Sequence, residues 1–172
     1  GDGPLNVMDQ RWPNVTSRRF IESAAALQLP RTADFNKPNN EGFGLYQVTQ
    51  KAGERWSAAR AYVEPLRGRA NLDIRTKALV ETILVEDGRA TGVVIRRGSQ
   101  RETLRARGGV VLSAGAFGSP QILQLSGIGP GTHLQDMGID VALDRAAVGD
   151  NLQDHIDYVS SWETRSGDPL GD

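Results

Sequence analysis

A chain of 172 residues can bury one real core, and 38% apolar residues with 20 glycines are ordinary for a globular protein rich in turns. Lys and Arg total 20 against 21 Asp and Glu, a net charge of −1, which excludes a global pull toward nucleic acid or an anionic membrane surface. The absence of cysteine excludes disulfide scaffolds, thiolate zinc sites and cysteine nucleophiles, and no apolar run approaches the length of a membrane span.

Gly1-Asp2-Gly3-Pro4-Leu5 has neither the basic start nor the apolar stretch of a secretory signal, and it lacks an initiator Met. The tail, Ser166-Gly167-Asp168-Pro169-Leu170-Gly171-Asp172, is turn-like. Both ends read as cut, with a processed mature chain as the alternative, and a cytoplasmic or membrane-peripheral location is expected. Residues 5–8 form a short apolar run that suits a strand. Residues 15–29 predict a helix, with Phe20, Ala24 and Leu27 on one face, Asn14 or Thr16 as cap and Pro30 past the end. A polar loop follows over 32–42. Residues 45–49 have strand character, and 57–66 predict a helix capped by Ser57 and limited by Pro65 and Gly68.

The middle is β-rich. Residues 72–76 alternate apolar and polar. Residues 79–86 and 90–97 flank Asp87-Gly88-Arg89, a strong hairpin signal because Gly accepts positive φ cheaply. A second turn, Gly98-Ser99-Gln100, leads into 101–107, so the spacing predicts a three-stranded antiparallel meander. Residues 109–112 are continuously apolar, as expected of a parallel strand buried on both faces. They run into Ser113-Ala114-Gly115-Ala116-Phe117-Gly118, after which Ser119 can cap a helix with Pro120 at its first position. Ile122, Leu125 and Ser126 should line that helix, and Gly127 should end it. A further helix over 132–137 and strands over 141–143 and 156–164 complete the prediction.

A strand, a small-residue loop and a helix start make the unit that nucleotide-binding folds use. Small residues admit a cofactor to the backbone, and the first helical N–H groups favour negative charge. On these residues alone the segment over 108–131 suits a tightly packed strand-to-helix turn equally well.

Longer motifs decide between the two. Gly115-Ala116-Phe117-Gly118-Ser119-Pro120-Gln121-Ile122-Leu123-Gln124-Leu125-Ser126-Gly127-Ile128-Gly129 resembles the second signature of the glucose–methanol–choline (GMC) oxidoreductases at all its restricted positions. Glu41-Gly42-Phe43-Gly44, Gly53-Glu54-Arg55-Trp56-Ser57-Ala58-Ala59 and Val148-Gly149-Asp150-Asn151-Leu152-Gln153-Asp154-His155 resemble other segments of the family, in its bacterial choline dehydrogenase-like branch. The resemblance spans about 3–162, nearly the whole chain. It implies an FAD-dependent enzyme with one domain holding FAD on a parallel sheet with a β-meander. A second domain lays an antiparallel sheet over the flavin and binds a small-molecule alcohol. A histidine near the family's C-terminus accepts the hydroxyl proton, and the alcohol carbon gives a hydride to flavin N5.

The chain departs from the family pattern in what it lacks. It has no GxGxxG after a strand: Gly127-Ile128-Gly129-Pro130-Gly131 mimics the start, but Thr132 stands where the last Gly belongs. Neither His133 nor His155 lies in the catalytic context, so no catalytic residue is assigned. Carried over from the resemblance, Val80 meets the adenine, Ala114 and Gly115 pass near the ADP half, and Asn151 and Leu152 approach the flavin-side boundary. Each of these also suits plain packing.

Other chemistries fare worse. Asp150, Asp154, Asp157 and His155 could suggest a metal, but a histidine bonded to backbone suits the spacing better, and no metal is expected. Arg96, Arg97, Arg101, Arg105 and Arg107 fit the wet face of a meander better than nucleic-acid binding, since no aromatic platform accompanies them. Ser119 lacks the flanking glycines of a hydrolase elbow, with Phe117 and Gln121 in their places. Trp12, Trp56 and Trp162 read as core or boundary residues.

The expected fold is α+β: a partial FAD-binding domain (buried strand, β-meander, helices) interleaved with part of an antiparallel substrate-domain sheet. Residues 1–70 are assigned to the substrate-domain side, 71–147 to the FAD domain and 148–172 to the return to the substrate sheet. The parent would oxidise a primary alcohol, choline first. The isolated chain is expected to be inactive and not to retain FAD. The alternative is a non-catalytic binding or assembly module, a homo-oligomer joined through exposed sheet edges.

Overall fold

A computed structural model describes residues 3–161. They fall into two compact units: residues up to Asp73 with those from Val159 on, and Ile74–Tyr158. Among the described residues no helix is long and apolar enough to cross a membrane.

The first unit is built on α1, Val15–Ala26. Asn14 caps it, its Oδ1 accepting the Thr16 N–H at 2.8 Å. At the other end the Leu29 N–H reaches Ala24 O and the Gln28 N–H reaches Ala25 O, a Schellman pattern with Gln28 in the left-handed region at φ 59°. The buried face is Ile21 and Ala24, not the expected Phe20 and Leu27, which are exposed. The helix buries only a narrow stripe, because loop rather than sheet lies against it.

Strand pairing in this unit is sparse. Residues 5–8 and 45–49 do not form the predicted strands; only Met8 and Val48 bridge, exchanging both backbone hydrogen bonds. The hairpin lies later: β1, Gln50–Lys51, and β2, Glu54–Arg55, joined by Ala52 and Gly53, both at positive φ. The Trp56 indole N–H donates to Pro4 O at 2.8 Å, and the Lys51 ammonium lies over its ring. Trp12 is 85% exposed, so it belongs to no core, and Trp162 lies outside the described residues.

The predicted helix over 57–66 is a π-helical turn, Ala59–Val63, followed by a 3₁₀ turn, Glu64–Leu66. Ser57 Oγ accepts the Arg60 N–H, as a cap should. The α pattern fails because Pro65 has no N–H to give.

The second unit opens with residues 74–78, which form no strand although 72–76 alternate; the Arg75 guanidinium bonds to Glu102 at 2.6 Å. The meander then forms where it was predicted: β3, Leu79–Glu86; β4, Arg89–Arg97; β5, Gln100–Arg105. Asp87 and Gly88 both take positive φ in the first turn. Ile83 and Ile95 are buried, and a Cβ on Gly92 would sit 2.3 Å from Leu104 O.

Residues 109–112 form no strand. They pair with no described strand; Val110 and Leu112 are half-buried and Val111 is 92% exposed. The helix that follows, α2, is Gly115–Leu125, five residues earlier than predicted. Ser119 and Pro120 therefore lie inside it. Gly127, at φ 79°, terminates it, with Asp140 O close enough that a Cβ would meet it at 2.4 Å. Ile122 packs α2 toward β3.

β6, Ile128–Gly129, then pairs in parallel with β7, Leu143–Asp144, across α3, Gly131–Asp136. The predicted strand over 141–143 is thus shifted and shortened. Asp144 returns to cap α3, its Oδ1 accepting the Gly131 N–H at 3.0 Å, and Leu134 is 1% exposed beneath. Residues 156–161 show no strand, and 162–164 lie outside the described residues.

Candidate functional site

The N-terminus of α2 is set by its loop. Ala114 caps it at φ −89°, and Gly115 follows at φ 85°, with open space where a side chain would go. Gly115 is therefore required for its backbone angle rather than for close packing. Alternating right- and left-handed residues turn successive N–H groups to one side, an arrangement suited to negative charge. Ser119 Oγ, one turn into the helix, accepts the Ala114 N–H at 3.0 Å.

Of the residues singled out from the sequence, Val80 and Ala114 come together. Both line a cleft of about 790 Å³ between β3 and α2, floored by apolar Ile122 and Leu125. That volume is within the range of small-molecule sites. Gly115 follows Ala114 in the chain but does not line the cleft. Leu152 lines a second cleft of about 500 Å³ on another face of α2, beside Phe117 and Pro120. Asn151 precedes it in the left-handed region at φ 54°, uncommon for a non-glycine residue.

Arg101, read as a solvent-face charge, proves to line the first cleft, and Glu81 lines it too. Glu81 accepts from Arg101 Nε at 2.6 Å and Arg96 Nε at 2.9 Å. These bonds, Arg101's above all, hold its carboxyl below the usual range, and the Arg101 guanidinium is correspondingly raised. Glu86 is lowered likewise by Arg105. Three of the five arginines in the basic cluster are thus paired within the meander. Glu81's neighbourhood to Val80 was a signal, but Arg101's place depends on the β4–β5 register. The His155 N–H donates to Asp154 Oδ1, and His133 is exposed on α3.

A meander packed against a glycine-led helix, with a cleft between them, makes a mixed helix-and-strand scaffold. The chain belongs to the GMC oxidoreductase family, whose profile matches residues 2–157. It is 48% identical over 157 residues to the oxygen-dependent choline dehydrogenase of Rhizobium etli (strain CIAT 652), covering 91% of this chain and 28% of that protein. It is 40% identical over 172 residues to an alcohol dehydrogenase [acceptor] of Pseudomonas putida, covering 99% and 31%. Among solved structures, pyridoxine 4-oxidase from Mesorbium loti matches with TM-score 0.76 at 31% identity, over 83% of this chain and 28% of that one. An FAD-dependent oxidoreductase from Chaetomium thermophilum matches with TM-score 0.76 at 30% identity, over 83% and 25%. The chain thus spans about a third or less of the length of these relatives.

Proposed function

We propose that this chain supplies the ADP-side wall of the FAD site in an enzyme that oxidises a small primary alcohol, choline being the first candidate. The carrying observation is the shared cleft of Val80 and Ala114 beside the start of α2. Its apolar floor suits a flat ring, and the Gly115 turn suits a negatively charged neighbour, so the residues present fit the cofactor. Val80 would meet the adenine, Ala114 and Gly115 the ADP half, and Asn151 and Leu152 the flavin-side boundary. FAD, when bound, supplies the acceptor for the alcohol's hydride.

The division proposed is 1–70 on the substrate side, 71–147 on the FAD side and 148–172 returning to the substrate sheet. The chain's own contribution is binding and orientation; no residue in it is assigned the proton transfer, and the chain alone does not turn over alcohol or retain FAD. ADP titration followed by ¹⁵N NMR tests the reading. Millimolar ADP should shift the amides of Val80, Ala114 and Gly115 first; no shift there, or shifts only elsewhere, rejects it. Flavin absorbance that survives desalting, or choline oxidation by the chain, would reject the incapacity.

A second reading, assembly through strand edges, draws on segment 109–112, which pairs with no described strand and leaves Val111 92% exposed. Sedimentation equilibrium decides it: a monomer at high concentration ends that reading.

A further inference from the structure

We infer that α2 is an alignment bar: two of its polar side chains and that of the residue just past its end each pin one of the segments that carry the proposed cofactor-side residues. Ser119 Oγ accepts the Ala114 N–H at 3.0 Å and holds the Ala114 and Gly115 turn. Ser126 Oγ accepts the Ile83 N–H at 2.7 Å and donates to Ile122 O at 2.5 Å. Ile83 lies three residues after Val80 on β3, an edge strand among the described residues, so an outward N–H there has no described neighbouring strand to bond. Gln124 Nε2 donates to Val148 O at 3.0 Å, three residues before Asn151.

Glycines make room for the third pin. A Cβ on Gly129 would sit 2.9 Å from Gln124 Cγ, and one on Gly149 would sit 2.8 Å from its Nε2. Two glycines from separate motifs therefore enclose one glutamine. Two of the bonds join α2 to distant segments, and the third ties it to its own entry turn. Ser119, Gln124 and Ser126 are positioning residues: Ser126 sets the width of the cleft between Val80 and Ala114, Ser119 the helix start, and Gln124 the course of 148–152.

This inference rests on the cofactor reading for its ligand half only. In the full 172-residue chain, Ser126→Ala should speed exchange of the Ile83 amide about tenfold and weaken ADP binding about three- to tenfold, as loss of one partly buried hydrogen bond would. Ser126→Thr, which keeps the hydroxyl, should restore both. Gln124→Met, which keeps length and removes the donor, should shift the 148–152 amides and leave Ile83 protected; it serves as the second probe should Ser126→Ala not fold. Unchanged Ile83 exchange in Ser126→Ala, or unchanged 148–152 amides in Gln124→Met, overturns the alignment. So does an ADP affinity indifferent to both substitutions in a chain that binds ADP. A chain that binds no ADP yet shows both amide effects overturns the cofactor reading and supports the alignment.

Discussion

The meander over β3, β4 and β5 and the apolar segment 109–112 lie only a few residues apart, and both are rich in β-formers. One is a sheet; the other pairs with nothing described. The meander's partners are joined by two-residue turns, so each strand meets its neighbour at small loop-closure cost. Segment 109–112 has the composition of a central parallel strand, and a parallel pair needs a crossover of a dozen residues or more. Propensity marks both alike, while pairing depends on what lies alongside.

The largest expected effect that sharpens this contrast is Ile95→Ala. Ile95 is 3% exposed between the other two strands, so its truncation should cost about 2–5 kcal/mol in urea unfolding. A smaller loss would mean the meander is looser than its packing indicates. Next is the hairpin turn in the first unit. Ala52 and Asp87 hold the same left-handed position before a glycine, but only Asp is suited to it. Ala52→Asn should therefore stabilise by about 0.5–1 kcal/mol, part of the left-handed cost borne by Ala. No gain in Tm would show that the turn geometry differs.

A third test concerns the charged face of the meander. Glu81's carboxyl is lowered in the folded chain, so its stabilising share is present above the ordinary carboxylate range. It is lost as pH falls through the lowered folded value. Glu81→Gln should flatten that part of the Tm-against-pH curve and leave the neutral-to-alkaline part parallel to the parent; an unchanged acid limb removes the pair from the account. The smallest effect is expected at Val111→Ala, within about 0.5 kcal/mol for so exposed a side chain. A large loss there would show that 109–112 is covered after all, and would break the comparison.

The parts of the fold legible from the sequence are those whose partners are near in the chain. Asn14 sits before α1, Asp87-Gly88 between two β-rich runs, and Gly127 after α2. Misreadings have physical causes. Ser119-Pro120 looks like a helix start, yet the small residues before it already turn into helix, and Pro120 is accommodated in the sixth position. Pro65 converts an α prediction into π and 3₁₀ turns. In the site, Val80 and Ala114 could be proposed separately from family motifs, but nothing in their spacing says that they share a cleft. Arg101, Gln124 and Ser126 carried no site signal, because each acquires its role from a residue far along the chain.

The sequence by itself determined the family, through the fifteen residues of its signature and the motifs flanking it. It also determined the meander, whose turns and alternation are local. Only the tertiary structure decided which α1 face is buried, where α2 begins, and that Ser119, Gln124 and Ser126 each hold a different segment. Capping and turn preferences act over a few residues and are written there; a hydrogen bond spanning 43 residues, such as that from Ile83 to Ser126, exists only once packing has brought its ends together.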